Sequence, residues 1–563
     1  MNAITPAIAG QEVDKDWWRG AVIYQIYPRS YQDSDGDGVG DLKGITSRLA
    51  YIADLGADAI WISPFFTSPM KDFGYDVSDY TNVDPSFGTL DDFRELVRTA
   101  HTLGIKVMID QVISHSSDQH PWFEESRQTR DNDRADWYVW ADPQPDGTPP
   151  NNWLSIFGGS AWEWDARREQ YYLHNFLVSQ PDLNFHNMDV QDALLDSVRF
   201  WLDLGVDGFR LDTINFYFHD ELLRTNPPLP MEERTSTIAP SVNPYNHQNH
   251  LYDKNRPENL EFLKRFRALL DEYPAATCVG EVGDGQRGLD IVGEYTSGDD
   301  KVHMCYAFEL LSKAPISSEY IATVIDTFEA KAPEGWACWA MSNHDVMRHV
   351  TRWEEYAVDH DQFARFTMAL MLSMRGSACL YQGEELALPE ADVAFEDLVD
   401  PYGIQFWPEF KGRDGCRTPM IWEPGPNGGF SEANKTWLPV EQSHLSRTPE
   451  VQSANPDSVY HAYRNFLRFR RSHDALVKGS IEVVDTMHNV LAFVRRSANE
   501  AVLCVFNFNV EAVKWDASRF HGGFSPLSGH GFTSQHHEHI VDLPAQSAWF
   551  ASLKRLEGEE THG

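Results

Sequence analysis

The sequence predicts a (β/α)₈ barrel of the TIM type, with a subdomain inserted after strand three and an antiparallel β-domain at the C-terminus. Three observations predict it. Eight short runs rich in β-branched and aromatic residues alternate with segments of helical periodicity. Three of the intervening helices close on one repeated phrase, Leu-Gly-apolar-charged. Beyond about residue 477 the helical pattern gives way to alternating strands alone.

In chain order the eight runs are 21–28, 59–65, 106–112, 208–212, 278–281, 303–309, 337–344 and 378–384. The repeated phrase stands at 55–58, 103–106 and 204–207, and its glycine falls where a helix ends in the left-handed conformation before the next strand begins. A doubly wound open sheet is the alternative, and eight repeats favour the closed barrel. After strand three, some 75 residues rich in Trp, Pro, Asn and Gly precede the next helix near Asp189, too long for an ordinary connection. The division read from the sequence is a barrel over 1–112 and 186–476 with an irregular insertion at 385–455, an inserted subdomain over 113–185, and a C-terminal β-sandwich over 477–563 that ends in the frayed tail EGEETHG.

The chain has 563 residues, 42% hydrophobic and 23% charged, which excludes a disordered chain. A formal charge of −38 repels phosphate backbones and anionic lipids, so nucleic acid and membrane surfaces are excluded as partners, whereas an uncharged substrate is indifferent to it. Such acidity is also one route to solubility in strong salt. Six dispersed cysteines form no CxxC pair and read as buried free thiols. The first 20 residues carry no basic start followed by a long apolar run, and the most apolar later stretch is broken by Arg375. The expectation is a soluble cytoplasmic protein, monomer or homodimer, with no organic cofactor.

Charged residues close several of the apolar barrel runs: Asp110 with His115 beyond it, Arg210 and Asp212, Glu281, and His344 with Asp345. All belong to the C-terminal rim, the active face of such barrels. One acidic residue there is ordinary helix capping; a set spread over several strands is not. Arg210 and Asp212 are two apart and project to the same side, a cation beside a carboxylate that it orients and keeps ionised, as a nucleophile requires. A structural ion pair is the plainer reading. Glu281 follows Gly280 in apolar surroundings that raise a carboxyl toward neutrality, suited to a proton donor. Asp212, Glu281 and Asp345 together fit nucleophilic and acid/base work on an acetal, with a hard-metal site as the alternative.

The run Asp33-Ser34-Asp35-Gly36-Asp37-Gly38-Val39-Gly40-Asp41 points several oxygens at one hard cation, Ca²⁺ or Mg²⁺. It is not an EF-hand, since position twelve is Gly44. Its distance in sequence from the rim favours a structural ion, and a solvated acidic turn is the alternative.

At these residues the chain resembles the α-amylase superfamily, glycoside hydrolase family 13, and most closely its α-glucosidase and oligo-1,6-glucosidase branch. The motifs are Asp110-Gln-Val-Ile-Ser-His115, Gly208-Phe-Arg-Leu-Asp-Thr-Ile-Asn215, Gly280-Glu281-Val282-Gly283 and Ser342-Asn343-His344-Asp345, with the branch marker Gln180-Pro181-Asp182-Leu183-Asn184. The resemblance implies Asp212 as nucleophile, Glu281 as acid/base and Asp345 as the carboxylate that stabilises the transition state. It implies His115, Arg210 and His344 as sugar ligands and Asp110 as support for Arg210. In Lys71-Asp72-Phe73-Gly74-Tyr75-Asp76, Asp72 would hold the terminal hydroxyls and Tyr75 would be the stacking platform. Their partner arginine would be Arg413, with Arg417 as alternative, and Thr213 would border the aglycone and favour α-1,4 bonds. Asp33, Asp35, Asp37, the Val39 carbonyl and Asp41 would hold the ion. The implied activity is that of a retaining, exo-acting α-glucosidase on small α-glucosides such as maltose, with glucose as ligand and with transfer to other acceptors. A sucrose-acting transglucosylase, a sucrose isomerase, an oligo-1,6-glucosidase and a catalytically silent transport-associated subunit are the competing readings.

Overall fold

The computed structural model describes residues 14–520 and 523–554. The first thirteen residues and the tail EGEETHG lie outside the described residues. Eight strands, β1 (Val22–Ile26), β2 (Ala59–Ile62), β3 (Lys106–Gln111), β4 (Gly208–Leu211), β5 (Thr277–Val282), β6 (Met304–Ala307), β7 (Cys338–Ala340) and β8 (Ser377–Tyr381), pair in parallel in the order 6-5-4-3-2-1-8-7. A parallel bridge between Cys305 and Ala337 joins β6 to the start of β7 and closes the ring. Every run predicted as a barrel strand is one.

The helices between them are α1 (Leu42–Leu55), α2 (Leu90–Thr102), α3 (Met188–Asp203), α4 (Asn259–Leu270), α5 (Gly288–Thr296), α6 (Ser318–Lys331) and α7 (His360–Ser373), with α8 (Val459–Arg471) following β8. Their starts are set by side chains that accept orphan backbone N–H groups. Asp41 caps α1 through Gly44 N–H, Ser317 caps α6, and Thr89 with Asp92 forms a reciprocal capping box on α2. The glycine of the repeated phrase has φ of 104°, 77° and 96° at Gly56, Gly104 and Gly205, the left-handed turn that releases each chain into its next strand.

Alternation along the strands sorts two apolar layers. Ile23, Ala59, Trp61, Met108, Val279, Met304, Cys338 and Cys379 pack inside the barrel, and their neighbours Val22, Ile60, Val107, Phe209 and Cys278 belong to the larger core shared with the helices. All six cysteines are buried and unpaired, as read from their spacing.

Between β3 and α3 the chain forms a short helix, Pro121–Ser126, and a small antiparallel sheet of Trp140–Ala141, Gln170–Leu173 and Trp162–Asp165 around its own core of Trp153, Trp162 and Leu173. The C-terminal region has β9 (Ser480–Asp485), β10 (Val490–Arg496), β11 (Ala501–Asn507), β12 (Val513–Asp516), β13 (Phe524–Pro526), β14 (Gln535–His537), β15 (Ile540–Leu543) and β16 (Ser547–Leu553). They make two antiparallel sheets, 9-10-11-16-13 and 12-15-14, with Val490, Leu503 and Trp549 from one meeting Trp515, Val541 and Leu543 from the other. No helix among the described residues is long and apolar enough to cross a membrane.

Candidate active site

Register builds the site. Asp110 and Arg210 are parallel partners across β3 and β4, and Glu281 pairs with Tyr306 across β5 and β6. Arg210, fully buried, is the hub. Its Nη1 donates to Asp110 Oδ1 at 2.9 Å and to Asp212 Oδ1 at 2.6 Å, its Nη2 lies 2.6 Å from Glu281 Oε2, and the Tyr306 hydroxyl accepts from it at 2.9 Å. The guanidinium lies over Trp61, whose Nε1–H donates to Asp110 at 3.1 Å. One guanidinium therefore holds the two carboxylates read as nucleophile and acid/base.

Thr213, just past β4, sits at φ 40°, uncommon for a β-branched residue. That turn aims its N–H at Glu281 Oε2, 3.1 Å away, and its hydroxyl at Asp212 Oδ2, 3.2 Å away. It borders the cavity and is also bonded to both carboxylates.

Burial raises Glu281 to about 7, with Arg210 opposing and Asp212 and Asp345 adding to it. Burial likewise raises Asp212 to about 7, more than Arg210 offsets. Arg210 does pull Asp212 toward its charged form, against burial and the neighbouring carboxylates: three buried carboxylates share one buried cation. Burial would also raise Asp345, but the guanidinium groups of Arg413, Arg417 and Arg210 hold it well below the carboxylate range. Burial lowers His115 to about 4 and depresses His344 further, so both rings are neutral.

Asp72 and Tyr75 join this group. Tyr75 stacks on His344 at 5.3 Å with the rings 2° from parallel, and its hydroxyl bonds His344 Nε2 and Asp110. Asp72 Oδ1 accepts from Arg413 Nη2 at 2.8 Å, and its Oδ2 from Gln180 at 3.1 Å. The choice between Arg413 and Arg417 resolves into two placements. Arg413 reaches both Asp72 and, at 3.2 Å, Asp345, while Arg417 reaches Asp345 at 3.0 Å and the His344 carbonyl at 2.7 Å. Asp72, Tyr75, His115, Asp212, Glu281, Asp345 and Arg413 line a cavity of about 750 Å³, with an apolar side made by Phe157, Phe176, Phe216, Ile238 and Tyr402.

Several members were missed from sequence. Asp400 holds Arg413 with both oxygens, at 2.7 Å to Nη2 and 2.7 Å to its backbone N–H, and caps the helix Pro401–Phe406 through Tyr402 N–H. The Asp-Pro pair at 400–401 is a readable cap signal. Gln180 stood in a quoted motif without a role. Trp61, Tyr306 and Gln25, whose amide lies 2.8 Å from His344 Nδ1, had no local signal.

Away from the cavity, single ligand atoms of Asp33, Asp35 and Asp37 lie within 4.8 Å of one another, the only group of that kind among the described residues. The rim carboxylates do not make one. Asp41 lies outside that group of three; its oxygens accept from the Ser34 N–H and hydroxyl and from Gly44 N–H at the start of α1. The Val39 N–H donates to Asp37 at 2.8 Å.

Comparison with known proteins agrees with this geometry. The description of the α-amylase catalytic domain matches residues 25–479, and that of the maltogenic amylase C-terminal domain matches 481–528. A probable α-glucosidase of Rhizobium meliloti (strain 1021) is 64% identical over 98% of this chain and 100% of its own. An oligo-1,6-glucosidase of Heyndrickxia coagulans is 35% identical over 89% of this chain and 94% of its own. Among solved structures, an α-glucosyl transfer enzyme, XgtA, superposes with TM-score 0.93 at 54% identity, covering 97% of this chain and 100% of that one. The trehalulose synthase MutB from Pseudomonas mesoacidophila MX-45 superposes with TM-score 0.86 at 32% identity over 96% and 99%. With a catalytic-domain match across most of its length and relatives of this identity, the chain belongs to the α-amylase family of glycoside hydrolases.

Proposed function

We propose that this glycoside hydrolase is a retaining, exo-acting α-glucosidase that removes glucose from the non-reducing ends of small α-glucosides, α-1,4 bonds favoured, with transfer to sugar acceptors. The observation that carries the reading is the bond from Asp72 to Arg413, with Asp400 behind it, beside the carboxylates gathered on Arg210. Fixed polar groups of that kind suit the terminal hydroxyls of one glucose and leave no path for a continuing chain.

Asp212 and Glu281 share one proton in this reading. The aligned bond from Arg210 and the Thr213 hydroxyl favour the charged form of Asp212, leaving the proton on Glu281. Asp212 attacks the anomeric carbon, the glycosidic C–O pair goes to the leaving oxygen, and Glu281 protonates that oxygen. Glu281, now a carboxylate, takes a proton from water or an acceptor hydroxyl, whose oxygen displaces Asp212. Asp345, held ionised by two arginines, faces the charge that develops on the ring.

A transglucosylase is the second reading, favoured by the likeness to the α-glucosyl transfer enzyme. Incubation with p-nitrophenyl α-glucoside, maltose and sucrose, with products identified, separates the two. Glucose as the main early product supports hydrolysis, oligosaccharides support transfer, and isomerised sucrose contradicts both.

Linkage preference rests on Thr213. In Thr213→Val the ratio of kcat/KM for maltose over isomaltose should fall several-fold, about 1 kcal/mol, the scale of one net hydrogen bond. An unchanged ratio would leave Thr213 a structural residue.

We further propose that Asp33, Asp35 and Asp37 hold one structural Ca²⁺ or Mg²⁺. Burial would raise Asp33, but bonds from the Ser431 hydroxyl and the Gly38, Gly36 and Asp35 N–H groups hold it below its ordinary value, and burial and the Asp37 charge raise Asp35. Such a set fits a hard cation, and Ser431 ties it to the insertion after β8. Exhaustive chelation should lower the melting temperature by a few degrees, restored by either ion. No change in melting or bound metal would reduce the loop to an acidic turn. The location is read as cytoplasmic on the six buried free thiols.

A further inference from the structure

The hydroxyl of Ser114 touches two groups of the site, the His115 ring and the Thr213 hydroxyl. Its Oγ lies 2.9 Å from His115 Nδ1 and 3.0 Å from Thr213 Oγ1, and the residue is buried. The His115 ring fixes the direction of these bonds. Its closest partner at Nε2 is the Tyr75 carbonyl, 3.0 Å away, which can only accept. The Gln180 amide nitrogen lies farther, at 3.2 Å, and donates to Asp72 with one of its two hydrogens. Nε2 therefore carries the hydrogen of the neutral ring and Nδ1 is bare, so Ser114 spends its own hydrogen on Nδ1 and presents a lone pair to Thr213. The Thr213 hydrogen then has two acceptors, Asp212 Oδ2 at 3.2 Å and Ser114 Oγ at 3.0 Å.

The two oxygens of Asp212 are held differently. Oδ1 is committed to Arg210 at 2.6 Å, whereas Oδ2 carries the Thr213 hydroxyl alone. While Asp212 is charged, the charge-assisted bond to Oδ2 is the stronger of the two choices. When Oδ2 bonds to the anomeric carbon it loses that charge, and the hydroxyl needs another acceptor.

We infer that Ser114 is a positioning residue for the nucleophile: it receives the Thr213 hydroxyl while the glycosyl ester exists and returns it to Asp212 as the ester breaks. The inference rests on the retaining reading above. No proton is transferred, since the Thr213 hydrogen only rotates about its C–O bond. In forming the ester, Oδ2 supplies the electron pair to the anomeric carbon, the pair of the old glycosidic bond leaves with the aglycone oxygen, and Glu281 supplies that oxygen's proton. Hydrolysis returns the Asp212–carbon pair to Oδ2 as water, deprotonated by Glu281, bonds to the carbon.

The test is a double-mutant cycle. Ser114→Ala leaves the Thr213 hydroxyl without a partner in the ester, so kcat/KM on p-nitrophenyl α-glucoside, which reads ester formation, should fall about three- to five-fold. Loss of the ester's support should also reduce the fraction of enzyme trapped as glycosyl-enzyme by a slow 5-fluoroglucosyl substrate, read by mass spectrometry. In a Thr213→Val background the same change at Ser114 should have no further effect, because the hydrogen it receives is gone. Ser114→Thr, which keeps the hydroxyl, should restore the rate. An unchanged rate in Ser114→Ala, or an equal loss with and without Thr213, overturns the inference, the latter because Ser114 would then act through His115 alone. Anomer analysis of the unsubstituted enzyme tests the retaining reading separately.

Discussion

Asp212→Asn should fold as the parent does and lose turnover by on the order of 10⁴-fold or more, the scale seen when a covalent nucleophile is removed. An amide keeps the size of the side chain and can still accept from Arg210 at the position of Oδ1, so the barrel rim stays assembled. It cannot form the glycosyl ester. The loss should fall on kcat and kcat/KM alike, since the bond exists only on the way to the transition state. A variant with parent-like melting and only a ten-fold loss would move the nucleophile elsewhere, and Asp345, ionised and facing the same cavity, would be the next carboxylate to examine.

The second large effect is expected at Arg413. It stands between Asp72, Asp345 and Asp400 at 2.8, 3.2 and 2.7 Å. Removing it in Arg413→Ala leaves the buried Asp72 and Asp400 facing each other without their cation, a change of about 3 to 5 kcal/mol in comparable sites. Maltose kcat/KM should fall by about 10² to 10³-fold. Arg413→Lys keeps the charge but not the fork that spans Asp72 and Asp400, so it should recover only part of the loss. Soluble starch is expected to be a poor substrate for the parent, and a rapid fall in its viscosity would contradict the closed pocket. Melting curves of both variants separate loss of the pocket from loss of the fold.

What the sequence made legible follows from how local each signal is. Barrel strands announce themselves as apolar runs, and the helix ends as Leu-Gly, because both are set by neighbours a few residues apart. The rim charges were legible for the same reason: Asp110, Arg210 and Glu281 each end an otherwise apolar run. The choice between Arg413 and Arg417 was not legible, because the two lie four apart, one helical turn, and both reach Asp345. Asp72 and Asp400, both held by Arg413, distinguish them, and Asp400 belongs to an irregular insertion whose path no periodicity describes. The acidic loop shows the opposite case. Asp41, last of the alternating aspartates, also precedes the apolar face Leu42, Ile45 and Leu49 of α1 and is that helix's cap, a second signal present in the same stretch of sequence. At Asp212 the counterweight to Arg210 is burial, which sequence does not carry. Charge partners can be read from spacing, but the depth at which three carboxylates are buried together cannot.

The central claim is that one guanidinium holds a nucleophile and an acid/base close enough for double displacement, the geometry in which carboxyl groups stand about 5 to 5.5 Å apart. Proton NMR of glucose as it is released from maltose, read before mutarotation, tests it most directly. The account predicts α-glucose as the first product. β-Glucose appearing first would mean a single displacement by water and would contradict it.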